Sequence, residues 1–152
     1  MLTVTYLGPD NVKPIKKDRP IVKSGQALVR IAACGVCGSD LSIAAGKHPR
    51  AAAPLVLGHE CSGTIVEIHS DEGNSSLSEG GKVVLFPLLP CGDCYACRHG
   101  FSHVCHSLEV IGFDKDGGMA EYLAVDQEQL LSIPDEIPLE RAALIEPMAV
   151  GV

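Results

Sequence analysis

Four closely spaced cysteines constrain the fold of this chain more than any other feature. Cys91, Cys94 and Cys97 are each separated by two residues, and Cys105 follows after seven more. Thiolates at such spacing can surround one zinc ion tetrahedrally, and a shell of four sulfur ligands leaves no open position for a substrate. We therefore predict a structural zinc site in a lobe of about residues 87–107, whose folding is stabilised by the metal.

Other uses of these four cysteines are an iron-sulfur cluster or a reactive dithiol, since both need closely spaced thiols. Ferredoxin-type spacings differ from this one, which favours zinc. Disulfides explain seven cysteines poorly in a chain that shows no export signal, because the cytosol keeps thiols reduced. Three histidines in or beside the lobe are assigned no metal role: His99, His103 and His106.

The composition is that of a soluble globular domain with one core: 152 residues, 46% hydrophobic and 20% charged. No stretch approaches the roughly 18 apolar residues of a membrane helix, and the first residues lack a basic region followed by an apolar run. We therefore expect a cytoplasmic protein without a membrane partner. A net charge of -7 without a Lys/Arg cluster argues against a nucleic-acid partner.

Short apolar runs, several of them rich in Val and Ile, predict a mainly β fold. The predicted strands are 26–32, 63–68, 82–86, 120–125 and 130–133. Sixteen glycines and ten prolines fit many turns between short strands, which indicates a β-barrel or a sandwich. The polar, acidic segment 71–81 is predicted to be an exposed loop between two strands.

Helical patterns are confined to residues 39–45 and to the segment from Leu139 onward. Pro147 suits the first turn of a further helix, of which little more than one turn remains before residue 152. This pattern predicts that the chain is truncated within an apolar helix. The residue before a proline is pushed away from helical geometry, so Glu146 is predicted to lie at a break between two helices.

Cys37 and His59 are candidates for a second, open metal site, because each is presented by a turn. Either residue alone is a weak signal, since a cysteine is usually a small buried hydrophobe and a histidine usually has a structural role. Together with Glu146 they supply sulfur, nitrogen and oxygen ligands and leave a fourth position for water or an alcohol oxygen. Glu146 also fits a carboxylate near the positive end of the following helix, and spacing leaves both roles open.

Four segments and the four-cysteine lobe together resemble the zinc-dependent medium-chain dehydrogenases over nearly the whole chain. The segments are 33–40 (ACGVCGSD), 58–63 (GHECSG), 116–122 (DGGMAEY) and 145–150 (IEPMAV). The resemblance implies a GroES-like, partly open β-barrel, followed in the intact protein by a Rossmann domain that holds NAD or NADP. No Gly-x-Gly-x-x-Gly follows a strand, so residues 1–152 are expected to end before that domain and not to oxidise alcohols alone.

The resemblance also implies roles for individual residues. Cys37, His59 and Glu146 fall where the family places the ligands of a catalytic zinc, which would be the second zinc of the chain. Glu60 falls on an acidic neighbour that can approach the metal. Ser39 matches the hydroxyl that takes the substrate proton first, and its alternative role is to cap the short helix that follows it.

The implied reaction is oxidation of a secondary alcohol or polyol to a ketone. Zinc binds the hydroxyl as a Lewis acid and stabilises the alkoxide, and a hydride passes to the nicotinamide. Glu146 and Pro147 resemble the branch of sorbitol, xylitol, idonate, threonine and butanediol dehydrogenases. Ser42 stands where many relatives carry a proton-relaying histidine, which leaves His48 or solvent as routes. A loop histidine beside Pro49 also fits an exposed residue without a relay role. The family implies a homodimer or homotetramer when intact.

Four further residues are expected to be structural. Cys34 and Cys61 lie close in sequence to proposed ligands and are predicted to be core residues. Asp40 and Glu121 match family positions at which we expect structural hydrogen bonds.

A second class of function is a non-catalytic GroES-like module with a structural zinc that contacts a partner protein. The two hypotheses differ in the distances among Cys37, His59 and Glu146. If these residues lie too far apart to share a metal, the dehydrogenase loses its mechanism and the binding module is favoured.

Overall fold

A computed structural model of the protein describes residues 1–69 and 77–151. Its strands pair antiparallel in three sheets, with the orders β2-β1-β4, β10-β6-β5-β3-β9 and β7-β8. The strands are β1 Leu2–Tyr6, β2 Val12–Lys16, β3 Gln26–Cys34, β4 Leu55–Val56, β5 Cys61–Ile68, β6 Lys82–Leu85, β7 Leu88–Leu89, β8 Glu109–Val110, β9 Tyr122–Asp126 and β10 Leu130–Ser132. The prediction of a mainly β fold is therefore confirmed.

The main core lies against one face of the five-stranded sheet. Alternate residues of a strand point to the same face, so Ala27 and Val29 of β3 are buried together, as are Val83 and Leu85 of β6. A second, smaller core forms where the three-stranded sheet meets the first helix. Its buried residues are Tyr6, Ile43, Leu55 and Leu57.

The helices are short, with four to seven residues each. They are α1 Gly38–Ala44, α2 Tyr95–Arg98, α3 Leu139–Ala142 and α4 Ile145–Val150, with 3-10 turns at Ser102–Val104 and Gln127–Gln129. Ser62 Oγ donates a 2.6 Å hydrogen bond to the carbonyl of Leu139, which attaches α3 to β5. Among the described residues, no helix has the length and hydropathy needed to cross a bilayer.

The five strands predicted from apolar runs are all present, with ends shifted by three residues or fewer. Of the five missed strands, β4, β7 and β8 have two residues each, and β2 contains Pro14 and is largely exposed. The fifth, β1, has no continuous apolar run, because Thr3 and Thr5 separate its apolar residues. Of the predicted loop 71–81, residues 71–76 lie outside the described part of the chain. The remainder connects to β6, but Leu77 is buried in the main core, so full exposure of the loop was wrong.

The prediction for Glu146 is wrong in one respect. The break between α3 and α4 lies at residues 143–144, and Glu146 is helical, in the first turn of α4. Amide groups in a first turn have no acceptor within the helix, so Pro147 can follow there without loss of a hydrogen bond. The prediction that Pro147 lies in the first turn of a helix is thereby confirmed.

Candidate metal centres

The sulfur atoms of the four-cysteine lobe form a compact cluster. Cys94 Sγ lies 3.5 Å from Cys97 Sγ and 3.9 Å from Cys105 Sγ, and Cys91 Sγ lies 4.0 Å from Cys97 Sγ. A tetrahedral shell with a Zn–S bond of about 2.3 Å separates its sulfur atoms by about 3.8 Å. Disulfide sulfur atoms would be about 2.05 Å apart, and all four cysteines are free. The cluster therefore fits a zinc ion.

Backbone amides of the lobe point at its sulfur atoms. The N–H of Cys94 donates to Cys91 Sγ at 3.4 Å, and the N–H of Cys91 donates to Cys105 Sγ at 3.4 Å. Hydrogen bonds from the amides of Asp93 and Cys94 are the main reason that the pKa of Cys91 is lowered to about 6. Desolvation and a hydrogen bond with Cys94 raise the pKa of Cys97 to about 12. Cys97 must therefore lose a proton to bind a metal.

The lobe has almost no apolar core of its own. Between Cys91 and Ser107 only Cys105 is buried, and Tyr95 and Phe101 are 78% and 55% exposed. A segment with so little buried apolar surface needs another source of stability, which a bound metal supplies. The lobe is thus suited to a structural metal site.

The three histidines near the lobe do not belong to the four-sulfur group, and two of them, His99 and His103, make other contacts. His99 Nδ1 lies 2.8 Å from the carbonyl oxygen of Tyr95, and the two rings stack. His103 packs edge-on against Phe101. These contacts support the prediction that the histidines are bystanders.

A second group of potential ligands consists of Cys37, His59 and Glu60, whose ligand atoms all lie within 4.8 Å of one another. His59 and Glu60 are buried, and Cys37 is half-buried. They meet because β3 and β5 pair antiparallel with Cys34 opposite Cys61. This register places the turn after β3 beside the turn before β5.

Asp40 ties these two turns together. Its buried carboxylate accepts the N–H of Cys37 at 2.9 Å through Oδ2 and the N–H of Gly58 at 3.3 Å through Oδ1. Oδ1 also lies 3.9 Å from His59 Nδ1. Glu121 accepts the N–H of Leu2 at 2.7 Å. Both expected structural hydrogen-bonding roles are confirmed.

Two glycines in the turns leave the space that the site needs. A Cβ at Gly35 would lie only 2.0 Å from Glu60 Oε2. Gly58 has a φ of 94°, and a Cβ there would lie 2.6 Å from Cys34 Sγ and from a side-chain carbon of Met119. The sequence motifs contained both glycines, but only the folded turns show what each one accommodates.

Two buried polar atoms at this site lack a hydrogen-bond partner among the described residues: Ser39 Oγ and His59 Nδ1. Such an atom costs about 1–3 kcal/mol unless a ligand pairs with it. The site therefore fits a metal together with a hydroxyl-bearing ligand. The alternative role of Ser39 as a helix cap is wrong, because α1 begins one residue earlier and Cys37 is its N-cap.

Glu146 approaches this group from α4 without joining it. Burial raises the pKa of the half-buried Glu146 carboxyl, while the charge of His59 opposes the shift and that of Glu60 adds to it. The side chain is thus within electrostatic reach of both residues but outside the 4.8 Å group. Of the two glutamates, only Glu60 belongs to the group that Cys37 and His59 form.

Phe113, which gave no signal in the sequence, packs edge-on against the His59 ring with 4.8 Å between centroids. The same phenyl ring contacts His48, at 5.0 Å. His48 Nδ1 accepts the backbone N–H groups of Arg50 and Ala51, at 3.4 and 3.2 Å. Only its Nε2 remains for a proton relay.

Cys34 and Cys61 lie next to the site, with their sulfur atoms 3.3 Å apart. Cys61 belongs to the main core, as predicted, whereas Cys34 is half-buried and packs against the edge of that core. The hydrogen bond with Cys34, together with burial, raises the pKa of Cys61 well above its usual value.

Comparison with known proteins gives a consistent result. Residues 23–135 match the alcohol dehydrogenase GroES-like domain. A galactitol 1-phosphate 5-dehydrogenase of Escherichia coli K12 is 41% identical over 129 residues, which cover 84% of this chain and 36% of that protein.

Solved structures of dehydrogenases share the fold of this chain. The crystal structure of galactitol-1-phosphate dehydrogenase from Escherichia coli has a TM-score of 0.92 at 36% identity, covering 99% of this chain and 43% of that one. An alcohol dehydrogenase from Escherichia coli CFT073, complexed with NADH, has a TM-score of 0.89 at 33% identity, covering 99% and 43%. The chain thus spans about two fifths of the length of these relatives. It belongs to the zinc-type medium-chain alcohol dehydrogenases, of which it contains the GroES-like domain.

Proposed function

We propose that this chain is the catalytic domain of a zinc-dependent NAD(P) dehydrogenase that oxidises a secondary alcohol or polyol to a ketone. One observation carries the proposal: Cys37, His59 and Glu60 converge within 4.8 Å beside the buried, unpartnered hydroxyl of Ser39. Three ligands leave a coordination position open, which is typical of catalytic zinc sites. The four-sulfur lobe has no such opening and serves as the structural site.

Each residue at the open site has a distinct task in this proposal. Cys37, His59 and Glu60 hold the metal, and Glu146 supplies a further carboxylate that can replace or join Glu60. When bound, zinc supplies Lewis-acid chemistry that makes a hydroxyl proton easier to remove. Ser39 Oγ accepts the hydrogen bond of the substrate hydroxyl and takes its proton, since a serine hydroxyl can both accept and donate.

The nicotinamide cofactor is assigned to a part of the protein outside these 152 residues. The chain carries no Gly-x-Gly-x-x-Gly after a strand, and it spans only 36% of the galactitol 1-phosphate 5-dehydrogenase. NADH in the related alcohol dehydrogenase supports a nicotinamide cofactor as the hydride acceptor. The name of the galactitol 1-phosphate 5-dehydrogenase supports a polyol as substrate.

The binding-module hypothesis is not favoured. It gains support if Cys37, His59 and Glu146 lie too far apart to share a metal. Cys37 and His59 lie close enough, and Glu60, in place of Glu146, is the third member of their group. Glu146 is outside that group, so its part in metal binding remains a proposal. Its electrostatic interaction with His59 and Glu60 supports the proposal.

Cobalt substitution tests the proposed function on this chain. Cobalt(II) in both sites gives visible absorption bands, and we expect a secondary alcohol or polyol to shift only the bands of the open site. Cys37→Ser should abolish the response and leave the bands of the four-sulfur lobe. Ser39→Ala should weaken the response without loss of cobalt. If cobalt(II) fills both sites and no alcohol shifts any absorption band, the binding-module hypothesis is favoured.

A further inference from the structure

Cys34 and Cys61 form a close thiol pair that the proposed reaction does not use. Their sulfur atoms are 3.3 Å apart, and the two residues are register partners on β3 and β5. Directly opposite residues of an antiparallel pair have Cα atoms about 4.5 or 5.5 Å apart. Disulfides span Cα distances of about 4.4–6.8 Å, so the strand pairing allows this bond without separation of the backbones.

The pair joins the two turns that carry the candidate ligands. Cys34 lies three residues before Cys37, and Cys61 directly follows Glu60. Glycines lie against both sulfur atoms: a Cβ on Gly58 would be 2.6 Å from Cys34 Sγ, and one on Gly118 would be 2.3 Å from Cys61 Sγ. A bond between the thiols would therefore cross-link the framework of the metal site.

The two thiols differ in accessibility. Cys34 is half-buried, whereas Cys61 is 2% exposed. A small oxidant therefore reaches Cys34 before Cys61, and the Cys61 sulfur is close enough to react with the oxidised Cys34. This division of roles is that of an attacking and a resolving cysteine.

We propose that Cys34 and Cys61 are a modification site, at which a peroxide forms a reversible disulfide between β3 and β5. The Cys34 sulfur attacks the O–O bond of hydrogen peroxide, which yields a sulfenic acid and one water. The Cys61 sulfur then attacks the sulfenic sulfur, so that an S–S bond forms, the S–O bond breaks and a second water leaves. Two thiols are oxidised by two electrons, and one peroxide is reduced to two waters.

Peptide mapping tests this site without an activity assay. Zinc-loaded protein is treated with hydrogen peroxide, its remaining thiols are alkylated, and it is digested with trypsin without reductant. The peptides 31–47 and 51–82 contain the two cysteines. We expect these peptides to appear joined, two hydrogens lighter than their sum, and to separate after treatment with dithiothreitol.

Variants identify the bonded atoms. Peptide 31–47 also contains Cys37, so a linked product should survive Cys37→Ser and disappear in Cys34→Ser. Cys61→Ala should also abolish the product, and the circular dichroism of each variant checks its folding. A link that survives Cys34→Ser, or oxidation of other cysteines while Cys34 and Cys61 stay reduced, overturns the proposal.

Discussion

A methyl group at position 35 should displace the Glu60 carboxylate from Cys37 and His59. The Cβ of Gly35→Ala would lie 2.0 Å from Glu60 Oε2, and 3.0 and 3.1 Å from Cβ and Cδ of the same side chain. Restoring an ordinary contact of about 3.4 Å moves Oε2 by about 1.4 Å. Metal-ligand distances tolerate only about 0.2 Å. Glu60 would then no longer hold the metal together with Cys37 and His59.

The substitution should affect metal binding much more than folding. Gly35 has no positive φ, so alanine fits its backbone, and the crowded atoms belong to a side chain that can move. We expect a loss of about 1 kcal/mol in unfolding free energy. Zinc affinity at the open site should fall by at least the 10–100-fold typical of altered neighbours of metal ligands.

Competition with a chelator of graded affinity measures this effect, with zinc per chain determined by mass spectrometry. The zinc of the four-sulfur lobe is the internal reference. Gly38→Ala is the matched control, because Gly38 lies three residues further on at the start of α1, has no positive φ and would place a Cβ in open space. If Gly35→Ala and Gly38→Ala retain the second zinc equally well, Glu60 is not a ligand.

Three further substitutions test neighbouring contacts. Asp40→Asn places an amide NH2 against one of the two backbone N–H groups that Asp40 now accepts, those of Cys37 and Gly58. We expect urea denaturation to show a loss of about 1–3 kcal/mol in unfolding free energy, and an unchanged midpoint would contradict this. Ser62→Ala removes the hydrogen bond to the Leu139 carbonyl and should lower the unfolding free energy by about 1 kcal/mol in the same experiment. An unchanged unfolding free energy would argue against a stabilising role for this bond. His99→Ala should keep the lobe zinc, because its ring bonds the Tyr95 carbonyl; loss of that zinc would make His99 a ligand.

The four-cysteine lobe was predictable because its ligands lie within one short segment. Cys91 to Cys105 span a single loop with a short helix, so spacing alone limits how far apart their sulfur atoms can be. Strands such as β6 were predictable for a similar reason, since burial of both faces leaves a continuous apolar run, here Val83, Val84 and Leu85. A two-residue strand such as Leu88–Leu89 leaves none.

The open site was only partly predictable. Cys37 and His59 each follow from a local motif, but their proximity depends on the register between β3 and β5. The choice between Glu60 and Glu146 depends on how α4 packs against the site, which no local pattern records. Phe113 was missed because an aromatic residue in a loop gives no sign of the imidazole that it will contact.

Zinc content per chain, measured by mass spectrometry on the unmodified protein and on Cys37→Ser, tests the central claim of two separate metal centres. The four-sulfur lobe and the group formed by Cys37, His59 and Glu60 share no ligand. We expect two zinc ions in the unmodified protein and one in the variant. One zinc ion in both proteins would contradict the open site, and with it the proposed catalytic role of this chain.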